Sequence, residues 1–438
     1  MGIDFLKIQV MSYIRCLFLL TINSNIVKKA WLTKSIILFI ILHGLSIQAT
    51  AQTEFDSLKR NSNLDTSYQP SKKPTFVTEF AEVTIAGFIQ PVLYYDNNNV
   101  LNNDIFITSE IPTTKFTDIK FKRFHLSANQ SRLGFNFNFP KSDKTTTAFM
   151  EGDFLSSSRG DNTYFRLRHA YLIYGDFLVG QTWTNFGDVN AAPNTLDLEG
   201  PNSMPASRVP QIRWRRQMTE KLNLLVALEE PKADYTPLDS ASSIRAAFPE
   251  IIIKPKIKIK NGHWSNSFNY KPIIYTDKNY SFKKQLNGWG ITSSLNINIP
   301  DSKKKNVLDT KKRTFNLFGI IGNGTQGSVN DFGGLGYEAF PKDSVTLQTL
   351  GYYGGYVSYS FVFKKRWSST YVYSYLHQEK PATTNNIFKH SSYLAANAVY
   401  AFNKYFTVGG EVLFGSKENY DNTSGSALRI LGVMRLLF

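Results

Sequence analysis

The chain is 438 residues long with 28 Gly and 17 Pro, enough for one large domain or two or three small ones. Aromatic residues make up 14% of it, but the mean hydropathy of −0.25 points away from a bundle of membrane-spanning helices. The formal charge is +16, a balance that in an exported chain favours anionic ligands or lipid headgroups over nucleic acid.

One apolar run approaches spanning length, and it lies at the start. Lys28, Lys29 and Lys34 precede the apolar core Ile36 to Leu45, and Ala49-Thr50-Ala51 follows. A basic region, an apolar core and an A-x-A site make a secretory signal peptide. The core is short for an uncleaved anchor, which must cross ~30 Å of hydrocarbon. Residues 1–51 are therefore expected to be a discarded leader, and 1–27 the upstream extension that a misplaced start codon would add. The one cysteine, Cys16, falls in this leader. The rest of the chain has no thiol, which suits an oxidising compartment and removes a thiolate nucleophile or a disulfide frame. Without residues 1–51 the chain loses five bases and one acid and keeps about +12. Residues 52–81, with the Pro- and Lys-rich SYQPSKKPTF at 67–76, read as a flexible periplasmic lead-in.

From Glu82 to Phe438 the chain breaks into short runs at barrel rhythm. Sixteen strands are expected: 82–95, 123–139, 144–156, 163–174, 177–184, 207–216, 220–231, 248–260, 262–275, 285–299, 311–323, 350–364, 366–379, 390–402, 404–416 and 425–438. Short connections such as Gly175-Asp176 and Asn261-Gly262 alternate with long polar loops such as 96–122, 185–206, 232–247 and 324–349. Short periplasmic turns, long outer loops and an even strand count are the outer-membrane pattern. The turn at 300–310 is longer than that pattern wants.

Side-chain alternation supports this. Leu222, Leu224, Val226 and Leu228 oppose Asn223 and Glu229, while Tyr371, Tyr373 and Tyr375 oppose Thr370, Val372 and Ser374. A soluble sandwich would alternate too, with the apolar face buried. Tyr and Trp near strand ends, and Arg and Lys on the polar faces, favour membrane girdles outside and a charged lumen inside. The last run ends on Phe438, in phase with Ile430, Met434 and Leu436, and so resembles the signal read by the barrel-assembly machinery of bacterial outer membranes. The expected fold is all-β: a transmembrane antiparallel β-barrel of about 16 strands with an inward-folded constriction loop.

The region Thr163 to Arg216 carries the most information. Two runs meet at Gly175-Asp176, about twenty residues without regular periodicity follow Trp183, and a third run has Arg213 and Arg215 alternating with Ile212 and Trp214. The blocks RLRHAY (166–171), LVGQTW (178–183), NTLDLEGPN (194–202) and RVPQIRW (208–214) resemble the DcaP-like trimeric outer-membrane porins. GFIQPVLYYD (87–96), RLGFNF (132–137) and EGDF (151–154) extend the resemblance, which is dense from about 80 to 232 and thin afterwards. It implies a homotrimer in the bacterial outer membrane and passage of dicarboxylates. Better-known members carry an N-terminal periplasmic coiled coil, whereas residues 52–81 show no heptads.

On the inward phases the expected basic lining is Arg132, Arg166, Arg168, Arg213, Arg215, Lys254, Lys256, Lys258 and Arg429, with Lys260 and Arg435 in the same phases. A lysine facing lipid at the midplane costs about 2–4 kcal/mol, so the ladder Lys254 to Lys260 must face the lumen or lie partly beyond the membrane. Pro255 within it suggests a local bulge. Glu151, Asp153, Glu229 and Glu411 are the inward carboxylates, and Asp188, Asp197 and Glu199 ride on the long loop. Some arginines would pair with these acids and brace the wall. The loop acids would either set a field across the bore or cap their own turns. A surplus of cations in a narrow bore concentrates anions, so a passive channel preferring small anionic organic solutes is expected.

Three rivals remain. A sugar-selective channel would use aromatic residues as a track, but most Tyr and Phe fall on outward phases. A catalytic barrel would need a nucleophile and base, and His390-Ser391-Ser392 has the residue types. His125 and His169 lack metal-ligand spacing, so no metal or cofactor is expected. A structural or adhesive barrel is the third.

Overall fold

The computed structural model describes residues 75–438 except 98–99, 114–121, 156–163, 232–233, 239–242, 246–247, 277–282, 300–312, 365, 382–383 and 385. The leader and most of the lead-in therefore lie outside the described residues, as does the long turn at 300–310.

Sixteen strands form one closed antiparallel barrel. β1 is Glu82–Ile89 continued by Val92–Asn97, and β2 is Lys122–Ser127 continued by Arg132–Asn138. β3 is Thr146–Asp153, β4 Arg166–Tyr174, β5 Phe177–Trp183, β6 Arg208–Gln217, β7 Leu222–Glu229 and β8 Glu250–Ile259. β9 is Gly262–Thr276, β10 Lys283–Ile299, β11 Arg313–Asn323 and β12 Gly351–Lys364. β13 is Trp367–Gln378, β14 Phe388–Ala401, β15 Phe406–Asn419 and β16 Ser424–Leu437. Each expected run corresponds to one of these strands. Within the lead-in, Thr75–Val77 is a short strand on β1, because Thr75, Phe76 and Val77 pair with Thr84, Val83 and Glu82.

Closure joins the two chain ends of the barrel. Phe88 and Ile89 pair with Leu437 and Leu436, and Val92 to Asn97 continue along Val433 to Leu428. Phe438 exchanges backbone hydrogen bonds of 3.1 and 3.2 Å with Gly87. A Cβ at Gly87 would stand 2.3 Å from the Arg132 carbonyl and 2.9 Å from the Phe438 ring, so the seam requires glycine there. Pro255 leaves a gap in the ladder to β9 without shifting its register, which corrects the expected bulge: Ile253 pairs with Phe268 and Lys256 with Ser265. The missing N–H costs one bond and no residue is inserted.

The outward face is apolar and exposed, as at Leu172, Ile212, Tyr371, Ile430 and Met434. Near the short turns, Phe363, Trp367, Tyr400, Phe402 and Phe406 form a belt of rings with successive centroids 6.0, 5.1, 4.8 and 5.3 Å apart. At the other end Tyr353 lies 4.8 Å from His377, and Tyr375 lies 5.6 Å from His390. Along β12, Tyr353 and Phe363 are about 26 Å apart normal to the membrane for a strand tilted by roughly 40°. That is the height of an outer-membrane apolar band flanked by aromatic girdles.

Candidate functional site

The wall from β1 to β6, together with β16, carries most of the arginines. At the start of β4 the register shifts opposite Glu151 and Gly152, and the side chains of Arg166 and Arg168 both reach acids of β3. Arg166 holds Asp153 through two bonds of 2.9 Å. Arg168 bonds Asp153 at 2.7 Å and Glu151 at 2.8 Å. Asp153 is fully buried, so these cations brace adjacent strands as the sequence allowed.

Arg132 stands apart. Its contact with Glu151 is long, at 4.0 Å, and its Nε is buried without a hydrogen-bond partner. Its guanidinium lies 5.1 Å from the Phe88 ring, and that of Arg435 lies 4.7 Å from the same ring. Trp183 carries Arg168 at 5.6 Å and Arg208 at 4.7 Å. Arg132, Arg168, Arg435, Phe88 and Trp183 share a cavity of about 80 Å³ with Asp197 and Glu199.

Those two acids belong to the segment 184–207, which is fastened across the inside of the wall. At its root Glu229 accepts the Thr184 hydroxyl, the Asn185 backbone N–H and the Asn185 amide, each at 2.7 Å. Lys254 donates to the Gly187 carbonyl. Asp188 caps the Asn190 N–H at 3.2 Å, lies 2.8 Å from His263 Nε2 and accepts Ser294 at 2.6 Å. Further on, Glu411 accepts the N–H groups of Leu196 and Asp197, and Tyr393 donates to Asp197 at 3.1 Å. Asn202 donates to Ser391 at 2.8 Å and accepts from Ser374 at 2.5 Å. These partners lie on β7, β8, β9, β10, β13, β14 and β15, on the phases opposite the exposed apolar residues.

Several expected lining residues are thus committed elsewhere. Arg429 has no exposed surface and is corrected from lumen lining to an internal brace. It bonds Asp96 at 2.6 and 3.0 Å and the carbonyls of Asn102 and Ile105 at 2.7 and 2.9 Å. Residues 100–106 fold over it because those carbonyls need a buried donor. Glu229, Asp188 and Lys254 spend their polar atoms on loop fastening, and Asp197 turns its carboxylate to the N–H groups of Glu199 and Gly200 at 3.3 and 3.2 Å. Arg213 bonds Asn185 at 3.1 Å. Arg215 and Lys256 are half-buried on inward phases, and Lys258 is exposed beside the short turn. Glu199, half-buried against the cavity, lies in the field of Arg208 and Arg166, and burial pushes its carboxyl up to about 8, with Asp197 and Asp331 adding to the rise.

Sequence reasoning passed over Arg208, which falls on the outward phase of β6 yet stacks on Trp183 where both strands end at the rim. It also passed over the second inward segment, 324–350. His390 and Ser391 are not brought together: His390 lies 3.4 Å from Glu418, while Ser391 accepts from Asn202 on the other face. His169 packs against Phe149 and Trp183, and His125 stacks on Tyr94.

A closed sixteen-strand barrel with an apolar exterior, aromatic girdles and a charged interior defines an outer-membrane channel of the porin class. The family model for DcaP outer membrane protein matches residues 78–264, which span β1 to β8. The outer membrane channel DcaP of Acinetobacter baumannii has the same fold, with a TM-score of 0.69 at 21% identity over 83% of this chain and 99% of that one. An anion-selective porin from Comamonas acidovorans matches with a TM-score of 0.50 at 10% identity, over 82% of this chain and 100% of that one. No curated protein sequence matches. The chain is therefore similar to the DcaP porins over residues 78–264, has the fold of the DcaP channel, and belongs to the bacterial outer membrane.

Proposed function

We propose that this porin is a passive channel that admits small organic solutes and prefers anions, dicarboxylates among them. The observation that carries the reading is Arg132, a buried guanidinium with an unpartnered Nε at a cavity where arginines outnumber acids. In a confined, low-dielectric passage such a group attracts a carboxylate and repels a cation. Glu199, on the loop at the same cavity, adds a charge of opposite sign to the field there, so a solute with separated charges crosses in a preferred orientation. No proton or covalent step is involved, and the work is done by fixed charges on a rigid wall. The anion-selective Comamonas porin is consistent with this preference.

A sugar-selective channel is less well supported. The Phe88 and Trp183 rings at the cavity are each covered by two arginines and offer no free track for a sugar face. We further propose a homotrimer, as the family resemblance implies, to be checked by crosslinking and native mass of the purified protein. Reversal potentials in planar bilayers under a salt gradient, followed by block with mono- and dicarboxylates, test selectivity. A clear cation preference refutes the reading.

A further inference from the structure

The segment 184–207 does not fill the bore alone. Phe186 and Met204 of that segment pack with Val329, Phe332, Tyr337 and Phe340 of the segment 324–350 into one buried apolar cluster. The cluster rests on inward residues of β7, β8 and β11 to β14, among them Ile252, Phe318, Tyr356, Leu376 and Phe388. The two segments are also joined backbone to backbone. Pro205 bridges Val329, Ala206 N–H donates to the Ser328 carbonyl at 3.0 Å, and Asn330 N–H donates to the Met204 carbonyl at 3.0 Å.

Neutral bonds tie the segment to the wall at Tyr337, which accepts the Phe388 N–H at 3.2 Å, at Leu347, which donates to the Tyr275 hydroxyl at 3.2 Å, and at Gln326, which donates to Gln378 at 3.2 Å. Among the described residues its charged tie to the wall is a single centre. Glu338, with no exposed surface, accepts Lys271 Nζ at 2.8 Å, the Gly327 N–H at 2.9 Å and the Asp234 N–H at 2.7 Å. Lys271, on β9, is itself 2.7 Å from Glu250 on β8. One carboxylate therefore ties the wall to two loop segments. A second charged group of the segment, Asp331, accepts from Thr108 and Ser109 and so joins another loop and not the wall.

We infer that 324–350 is a partition that closes the β8–β14 side of the bore, and that Lys271 is the positioning residue that holds it through Glu338. Solutes are thereby confined to the arginine side, and the partition sets the size limit. This inference rests on the channel reading above and deepens it, because it concerns which part of the lumen is open.

The test uses the full barrel, purified and reconstituted. Wild type is measured first for single-channel conductance and for the largest neutral sugar that swells loaded liposomes. If wild type does not conduct at all, the channel reading itself fails. Given conduction, K271M is expected to raise conductance at least twofold and to admit larger sugars, whereas K271R keeps the wild-type limit. The chain beyond Cys16 has no cysteine, so P205C/V329C can be added cleanly. Paired bridge residues lie about 4.5–5.5 Å apart, within disulfide reach. Oxidation of that pair in K271M should restore the wild-type limit, and reduction should release it. An unchanged size limit in K271M overturns the inference. If K271M does not assemble, E338Q, which keeps the shape and removes the charge, takes its place, and an unchanged limit there overturns it equally.

Discussion

Glu411 on β15 accepts the backbone N–H groups of Leu196 and Asp197 at 2.9 and 2.6 Å, although more than two hundred residues separate them in the chain. The wall's backbone carbonyls are spent on its own ladder, so the N–H groups of a loop that crosses the lumen must find acceptors among side chains. Glu229 does the same at the root of the loop. Inward carboxylates here serve first to hold the loop. Glu411→Ala leaves two buried N–H groups without an acceptor, at about 1–3 kcal/mol each. The expected outcome is a larger, noisier single-channel conductance with a lowered denaturation midpoint, while a steady wild-type current would show that the loop is held without Glu411.

Arg132 makes the opposite kind of prediction, since the wall does not depend on it for a close ion pair. One unit charge at about 4 Å in water is worth about 1 kcal/mol, or roughly fivefold in relative permeability. Arg132→Ala should lower the anion-to-cation permeability ratio severalfold, and Arg132→Lys should retain most of it. Zero-current potentials measure both. Equal ratios in the alanine variant and wild type would remove Arg132 from the selectivity mechanism.

The barrel was legible because lipid contact imposes a period of two on every strand, and residues such as Leu222 to Leu228 display it without knowledge of any partner. The site was legible only in part. Alternation places Arg429 inward, but its enclosure depends on Asp96 and on residues 100–106, which meet it only when β16 closes against β1. Arg208 was hidden for a different reason: phase loses its meaning at a strand end, where the chain bends over the rim. The segment 324–350 looked like an outer loop because its apolar residues, Val329, Phe332 and Tyr337, are too irregularly spaced to announce a buried face.

Glu199 gives the channel a pH dependence. Its carboxyl titrates at about 8, raised first by burial and then by Asp197 and Asp331. Below that pH it is neutral and the arginines around the cavity are opposed by one acid fewer. As pH rises through about 8 it ionises and cancels part of their field. Anion preference should therefore fall between about pH 7 and 9, and Glu199→Gln should flatten the profile at its low-pH value. Reversal potentials across that range decide it, and a glutamine variant with the wild-type profile would assign the titration to another group.

Asp153 separates bracing from lining. It holds Arg166 and Arg168 from a position with no solvent exposure. Removal of one partner of a buried ion pair costs about 3–5 kcal/mol, because the remaining charge loses its compensation. Asp153→Ala should lower barrel stability by that order in urea unfolding. The same substitution frees the Arg166 guanidinium and leaves Arg168, beside the cavity, with Glu151 alone, so the variant that folds should be more anion-selective than wild type. The two effects have opposite signs for the cell and are read by different instruments, unfolding midpoint and reversal potential. A destabilised variant with unchanged selectivity would mean that Arg166 and Arg168 act only as braces, and that Arg132 and Arg435 alone carry the field.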